Sequence, residues 1–275
     1  MNKYFFFRKI KISVIFLTKS ENEITSYRPF SLLSLFSKIF EKIFLRRLLA
    51  ILKENKVIPE HRFGFRRYHG TPEQCHRVIN YIIDALERKE YCSAAFLDIQ
   101  QAFDKVWHHG LLYKLKKVFS SQVYLILKSY LTSRSFYVKI NDDTSDIKYI
   151  NAGVPQGSVL GPVLYTIFTS DIPETENVLI ATYADDTALL SSSQTPIEAT
   201  NLVQRELNKI QPWLDCWKMK VNMSKSVHVL FTLRRSDCPP LLLNGNTIPK
   251  SDSVKYLGMH FGETTDLETA HTSQK

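Results

Sequence analysis

Two stretches of this chain are almost purely apolar, and each carries aspartate where burial should forbid it. Residues 94–97 read Ala-Ala-Phe-Leu and run straight into Asp98; residues 178–190 are apolar except for Thr182, Asp185, Asp186 and Thr187. Apolar runs this short, bounded by turn formers, predict buried strands, the second run folding as two strands that turn at Ala184-Asp185-Asp186. A buried carboxylate must be paired or hold a metal. Asp is also a common turn residue, and that reading would suffice for a lone Asp-Asp pair. Three acids on the ends and turns of buried strands ask for more, because adjacent acids repel each other unless a cation offsets them. Two-metal phosphoryl transfer rewards such an arrangement: two Mg²⁺ ions activate one oxygen and stabilise the leaving one. Asp98 and Asp185 can meet only if their strands are neighbours in one sheet.

The rest of the composition permits this and decides little. The 275 residues carry 36 Lys+Arg against 27 Asp+Glu, a formal net charge of +9. A basic chain attracts polyanions and anionic lipid, so charge alone leaves nucleic-acid binding as one option beside a plainly solvated basic surface. With 44% hydrophobic and 12% aromatic residues the chain can build a core, which excludes a disordered polymer. Its length allows one large domain or two modest ones. Cys75, Cys92, Cys216 and Cys238 lie far apart with no C-x-x-C pair, against a zinc finger and in keeping with free thiols in a reducing compartment. The first 20 residues are apolar and basic, but Arg8, Lys9 and Lys11 cut the apolar run too short for a secretory core or a membrane span. Ile10, Ile12 and Val14 alternate with Lys11 and Ser13, which predicts a strand; a signal anchor is the alternative.

Residues 32–53 repeat Leu32, Phe36, Phe40, Ile43, Leu48, Ile51 and Leu52 at helical spacing, with Lys38, Lys42, Arg46 and Arg47 between them. That predicts an amphipathic helix with a basic outer face. A second helix is expected from Thr71 as N-cap, with Pro72 at its start and Gln74 closing a capping box; its inner face runs through Val78, Ile82 and Leu86. A strand over 93–98 follows, then one or two helices over 111–131. A hairpin is expected to join 134–140 to Tyr149 and Ile150 across Asn141-Asp142-Asp143. Val154-Pro155-Gln156-Gly157 turns into a helix through Tyr165 and Phe168. Beyond the acid-bearing hairpin come a helix over 197–221 kinked at Pro212, a strand over 227–233, a tight turn at Asn244-Gly245, a short strand over 254–257 and a polar tail from Gly262 that frays. Trp107-His108-His109 has no metal-ligand spacing partner and is read as structural. The expected class is α+β, with antiparallel hairpins and helices over one face.

The same residues carry a resemblance. Phe96-Leu97-Asp98-Ile99-Gln100-Gln101-Ala102-Phe103-Asp104 resembles motif A of reverse transcriptases, Tyr183-Ala184-Asp185-Asp186 their motif C, and Gly153-Val154-Pro155-Gln156-Gly157-Ser158-Val159-Leu160-Gly161-Pro162 their motif B. Ser26-Tyr27-Arg28-Pro29-Phe30-Ser31-Leu32-Leu33 and Phe63-Gly64-Phe65-Arg66 resemble the finger motifs. Asn222 with Lys225-Ser226 resembles motif D, and Tyr256-Leu257-Gly258 the primer-grip hairpin. Order and spacing, over roughly Lys11 to Gly258, resemble non-LTR retrotransposon polymerases of the jockey-like branch. A YADD alone is a weak signal; YADD with this motif A and this motif B in order is a strong one.

The resemblance implies a right-hand polymerase architecture of fingers and palm, with an antiparallel palm sheet covered by helices and no thumb. Residues 1–92 would be mainly fingers, and 93–258 mainly palm with finger elements near 120–150. Residues 259–275 would be a frayed tail, and the chain as a whole truncated. It implies an RNA-directed DNA polymerase that adds dNTPs to a primer 3′-hydroxyl on an RNA or DNA template. Asp98, Asp185 and Asp186 would be catalytic, and with the Ile99 carbonyl they would hold two Mg²⁺ ions, or Mn²⁺. Arg66, Phe103, Gln156, Gly157 and Lys225 would meet the nucleotide, with Lys19 a further candidate, and Tyr256, Leu257 and Gly258 would form the primer grip. Phe103 would lie beneath the sugar and exclude a ribose 2′-hydroxyl. The interleaved Arg62-Phe63-Gly64-Phe65-Arg66-Arg67-Tyr68 would suit a template-stacking channel, or else a buried Phe pair. No membrane and no obligate protein partner are implied, and the location would be intracellular, nucleus or cytoplasm. Gln100-Gln101 and His109 depart from the family's usual residues. A catalytically dead nucleic-acid-binding remnant and a two-metal nuclease therefore remain alternatives.

Overall fold

Turn chemistry decides where the elements of this chain stop. In a computed structural model, which describes residues 11–17, 27–31, 33–59, 62–64, 69–137, 139–140, 143–234 and 236–262, Asn244 and Gly245 sit at φ +52° and +72°. That is the mirror-image turn a two-residue hairpin needs. Leu257 and Gly258 repeat it at +49° and +88°. Ser34 and Thr195 cap helices by accepting the backbone N–H groups of Ser37 and Glu198.

In chain order the elements begin with β1 (Lys11–Leu17), β2 (Tyr27–Ser31), α1 (Leu35–Glu54), β3 (Arg62–Phe63), α2 (Thr71–Glu87) and β4 (Tyr91–Asp98). There follow α3 (His108–Val118), α4 (Ser121–Leu131), β5 (Arg134–Tyr137), β6 (Lys139–Ile140), β7 (Asp143–Thr144), β8 (Lys148–Ile150) and α5 (Gly161–Phe168). The last are β9 (Leu179–Tyr183), β10 (Asp186–Ser193), α6 (Pro196–Cys216), β11 (Val227–Phe231), β12 (Leu242–Leu243), β13 (Asn246–Thr247), β14 (Ser253–Tyr256) and β15 (Met259–Gly262). The chain divides into two compact units, Met1–Pro59 with Gln101–Asp171, and Glu60–Gln100 with Ile172–Lys275.

The first unit holds a sheet of order β2-β1-β5-β8 and the helices α1, α3, α4 and α5. β5 and β8 form the expected antiparallel hairpin, but β1 pairs β5 in parallel. The inner face of α1 differs from the expected one. It buries Glu41, Phe44, Leu48 and Leu52, while Phe36 and Ile43 stand 77% and 55% exposed. This helix has apolar residues all round, so periodicity could not choose a face. The face turned inward is the one whose carboxylate finds donors, as described below.

In the second unit the sheet runs β11-β4-β10-β9-β3. The pairs among β11, β4, β10 and β9 are antiparallel, and β3 joins β9 in parallel. β4 lies between two strands and is buried on both faces, which explains its unbroken apolar run. One face carries Cys92, Ala94 and Phe96 against Val78, Ile82, Ala85 and Leu86 of α2 and against Tyr256 and Phe261 of the β14–β15 hairpin. On the other, Ser93 meets Thr200 of α6. Helices thus cover both faces of this sheet, where one was expected.

Two local expectations fail for the same reason, that tertiary partners outbid local ones. Gly70, not Thr71, is the N-cap of α2, and no side chain caps it. Gln74 is buried and donates instead to the Thr182 carbonyl of β9 at 3.3 Å. α6 passes through Pro212 but ends at Cys216; Val221, expected to lie in it, pairs with Ile99 as an antiparallel bridge. The expected fraying beyond Gly262 lies outside the described residues, as do Asn141 and Asp142 at the predicted hairpin break.

Beneath α6, His228 is 1% exposed and its Nε2 lies 2.9 Å from the Ser93 hydroxyl. Burial first, then the charge of Lys250, pushes its pKa down to about 4. The folded state therefore resists protonation that the unfolded chain accepts near 6.5. Stability is full above that value and falls as pH drops toward 4, with a loss of about 2 kcal/mol expected at pH 5. Urea unfolding of the wild type and His228→Gln at pH 7.5 and 5 checks this: the variant should lose most of the difference.

Candidate active site

The register of the second unit's sheet brings the acids together. In the β4–β10 ladder Asp98 is the direct partner of Asp186. Directly opposed residues of an antiparallel pair share a face, with Cβ atoms about 4.5–5.5 Å apart. Asp185 precedes Asp186 in the two-residue loop from β9 to β10. Ala184, the first loop residue, is held at φ +56°, a left-handed conformation that costs a non-glycine residue roughly 1–2 kcal/mol. Gly64 comes so close that a Cβ there would lie 3.4 Å from the Ala184 nitrogen. Burial first, then the charges of Asp185 and Asp98, push the Asp186 carboxyl up to about 6. The three acids share one field.

The loop after α6 fixes the end of β4. Asn222 N–H donates to the Asp98 carbonyl at 2.7 Å, Gln100 N–H donates to the Lys220 carbonyl at 2.8 Å, and Asp98 N–H donates to the Ser226 hydroxyl at 3.2 Å. Backbone groups alternate in direction along a strand. The Ile99 carbonyl therefore turns away from residues 220–222, toward the side on which β10 pairs. Lys225 lies in this loop with its N–H on the Asn222 carbonyl and its side chain exposed.

Among the described residues no three His, Cys, Asp or Glu side chains form a ready metal cluster. Mg²⁺ does not need one. It binds through one or two carboxylates and completes its octahedron with waters and substrate phosphates. The donor set here is all oxygen, and Asp186 is raised by burial first and then by the charges of Asp185 and Asp98, so the residues fit a divalent cation.

The β14–β15 hairpin sits on the face that bears Asp98 and Asp186. Tyr256 and Phe261 pack tilted against Phe96 with ring centroids at 5.4 and 6.3 Å, and the Tyr256 hydroxyl donates to the Ala181 carbonyl at 3.1 Å. Leu257 and Gly258 form its tip. Arg66 and Lys19 lie outside the described residues. Arg62 is 4% exposed and belongs to the interior of its unit, while Phe63 is half-buried and lies against His69 at 4.6 Å.

The first unit holds the other nucleotide candidates. Phe103 is half-buried and stacks on Tyr165 at 4.8 Å and 25°. Val154 N–H donates to the Phe103 carbonyl and Gly153 N–H to the Val106 carbonyl, both at 2.8 Å. A Cβ on Gly153 would lie 2.6 Å from the Asp104 carbonyl oxygen, so this backbone contact needs a glycine. Gly157 is exposed at φ +83°, a conformation that favours glycine. Gln156 Nε2 donates to Asp104 Oδ1 at 2.8 Å. His108 and Arg134, both buried, converge on the Gly153 carbonyl at 2.8 and 3.1 Å.

Sequence reasoning missed Glu41. It is fully buried and accepts from Val159 N–H at 2.6 Å, Leu160 N–H at 3.2 Å and the Tyr130 hydroxyl at 3.1 Å. It thereby caps α5, whose Gly161 N–H goes to the Ser158 hydroxyl. Burial raises its pKa above the usual carboxylate value. The one signal available was an acid alone among cations on a helix: Lys38, Lys42, Arg46 and Arg47 surround it.

Comparison with known proteins decides the family. A family profile described as "Reverse transcriptase (RNA-dependent DNA polymerase)" matches residues 17–261. The chain belongs to the reverse transcriptase family. It is 49% identical over 249 residues to the RNA-directed DNA polymerase from mobile element jockey of Drosophila melanogaster, covering 88% of this chain and 27% of that protein. It is 43% identical over 269 residues to the probable RNA-directed DNA polymerase from transposon BS of the same fly, covering 93% of this chain and 30% of that protein. The chain thus spans less than a third of these relatives. Among solved structures, apo telomerase from Candida tropicalis aligns with a TM-score of 0.61 at 16% identity, over 93% of this chain and 53% of that one. Telomerase from Candida albicans in complex with a telomeric RNA fragment gives 0.63 at 14% identity, over 94% and 45%. These likenesses show the α+β polymerase fold. Among the described residues no helix is long and apolar enough to cross a membrane.

Proposed function

We propose that this reverse transcriptase chain is the polymerase part of a retrotransposon protein, extending a DNA primer on an RNA or DNA template with dNTPs. The single observation that carries the reading is the register pairing of Asp98 with Asp186, with Asp185 in the adjoining loop. Asp98, Asp185 and Asp186, with the Ile99 carbonyl, would hold two Mg²⁺ ions, or Mn²⁺. Bound there, the metals would activate the primer 3′-hydroxyl and neutralise charge on the phosphates. The chain's own part is positioning: β4 and β10 set two carboxylates opposite each other, and the loop 220–226 holds the end of β4 in place. The second unit would act as palm, with Tyr256, Leu257 and Gly258 as primer grip. In the first unit Gln156 and Gly157 would meet the nucleotide and template, and Phe103 the sugar. Arg66 and Lys225 are carried as nucleotide contacts by resemblance, and nucleus or cytoplasm as the location. The bound RNA of the Candida albicans telomerase complex is in keeping with an RNA template.

A primer-extension assay tests the reading. The 275-residue chain, an RNA template with annealed DNA primer, Mg²⁺ and dNTPs should give template-directed extension. Binding without extension would favour a non-catalytic remnant, and cleavage of primer or template a nuclease. Phe103→Val tests the sugar contact. A small side chain in place of a half-buried ring should raise ribonucleotide incorporation relative to dNTPs by roughly 10–100-fold, the range that pocket size commands. Unchanged sugar selection would remove Phe103 from that role.

A further inference from the structure

The resemblance names Gln156 and leaves open what its side chain presents. A primary amide offers a donor at one end and an acceptor at the other, and reversing it reverses its preference for a partner. In the first unit the direction is fixed by chemistry. An ionised carboxylate only accepts, so the end of Gln156 that lies 2.8 Å from Asp104 Oδ1 must be the NH₂. Oε1 and the second N–H are then left for other partners, and both residues are only partly buried.

Both ends of this bond are anchored. The Gln156 carbonyl accepts Ser31 N–H at 2.9 Å, and Asp104 N–H donates to the Gln101 carbonyl at 2.9 Å. The Ser158 hydroxyl closes the turn on the Pro155 carbonyl at 2.7 Å. The strand-like contact of residues 153–154 with 103–106, made tight by the missing Cβ of Gly153, holds the Asp104 backbone against this turn. Arg134, buried nearby, feels the Asp104 charge, which favours the ionised, accept-only form.

We infer that Asp104 is a positioning residue: its carboxylate locks the orientation of the Gln156 amide and so selects which groups that glutamine offers to the incoming nucleotide or template. The inference rests on the polymerase reading above and deepens it. Asp104 touches no substrate; it acts through Gln156.

The test is steady-state primer extension on an RNA template with the 275-residue chain, comparing wild type, Asp104→Asn, Gln156→Ala and the double variant. Asparagine keeps the shape of Asp104 but can face Gln156 with either end. Asp104→Asn should raise KM for the correct dNTP about 10-fold with kcat within about 3-fold, and the melting temperature should hold. The double variant should be no worse than Gln156→Ala alone, since residues acting as one unit are not additive. Gln156→Glu sets two carboxylates together and should be worse than Gln156→Ala; adding Asp104→Asn, whose amide can donate, should recover part of the loss. An unchanged KM in Asp104→Asn, or losses that multiply in the double variant, would overturn the inference while the polymerase reading stands. No extension by the unaltered chain would remove both.

Discussion

Asp98→Asn is expected to reduce primer extension by about 10³-fold or more while leaving the melting temperature unchanged or slightly higher. Asparagine fills the same space at the end of β4, so the backbone bonds from Asn222 and to Ser226 remain available. What disappears is one negative charge and a good cation ligand. A metal's charge stabilisation is worth several kcal/mol, and each 1.36 kcal/mol is tenfold in rate, so a loss of this size follows if Asp98 carries a metal. The stability effect has the opposite sign. Asp98 lies directly across from Asp186 and its charge helps to raise that carboxyl's pKa, and opposed like charges destabilise a sheet. Extension within tenfold of wild type, in a variant that still binds template and primer, would remove Asp98 from the metal site. A large fall in melting temperature would show that its carboxylate has a structural partner instead.

Glu41→Ala should destabilise the chain by about 3–4 kcal/mol. It leaves the Val159 and Leu160 N–H groups and the Tyr130 hydroxyl without their acceptor, and each buried orphan costs about 1–3 kcal/mol. The negative charge at the start of α5 goes too, worth about 0.3–1 kcal/mol. Relief from burying a carboxylate, the cause of its raised pKa, returns part of that. Glu41→Gln keeps an oxygen for the two N–H groups and should cost only about 1 kcal/mol. Urea unfolding of both variants measures the difference. Equal stability of Glu41→Ala and wild type would mean that the N-terminus of α5 finds other acceptors when this one is removed.

Motif order and residue type were enough to name most residues of the candidate site, because the patterns that mark them are local. An aspartate ending an apolar strand, an Ala-Asp-Asp turn and a Pro-Gln-Gly turn each show in a few consecutive residues. The β9–β10 hairpin, β4, α2 and the Asn244-Gly245 turn were legible for the same reason. α1 was not. Its sequence is apolar on several sides, and the buried face was settled by donors on residues 130, 159 and 160, remote along the chain. Gln74 looked like a capping residue because the motif is local, and it was drawn instead to a carbonyl of β9.

By itself, the sequence determined that three acids must share the ends of buried strands, that the chain is α+β, and that its motifs run in the order of a reverse transcriptase. Tertiary structure alone decided that Asp98 faces Asp186 across the ladder, that Asp104 accepts from the Gln156 amide and that Glu41 caps α5. The physical reason is that strand register and buried hydrogen bonds depend on which distant groups meet, and a one-residue slip turns every side chain of a strand to its other face.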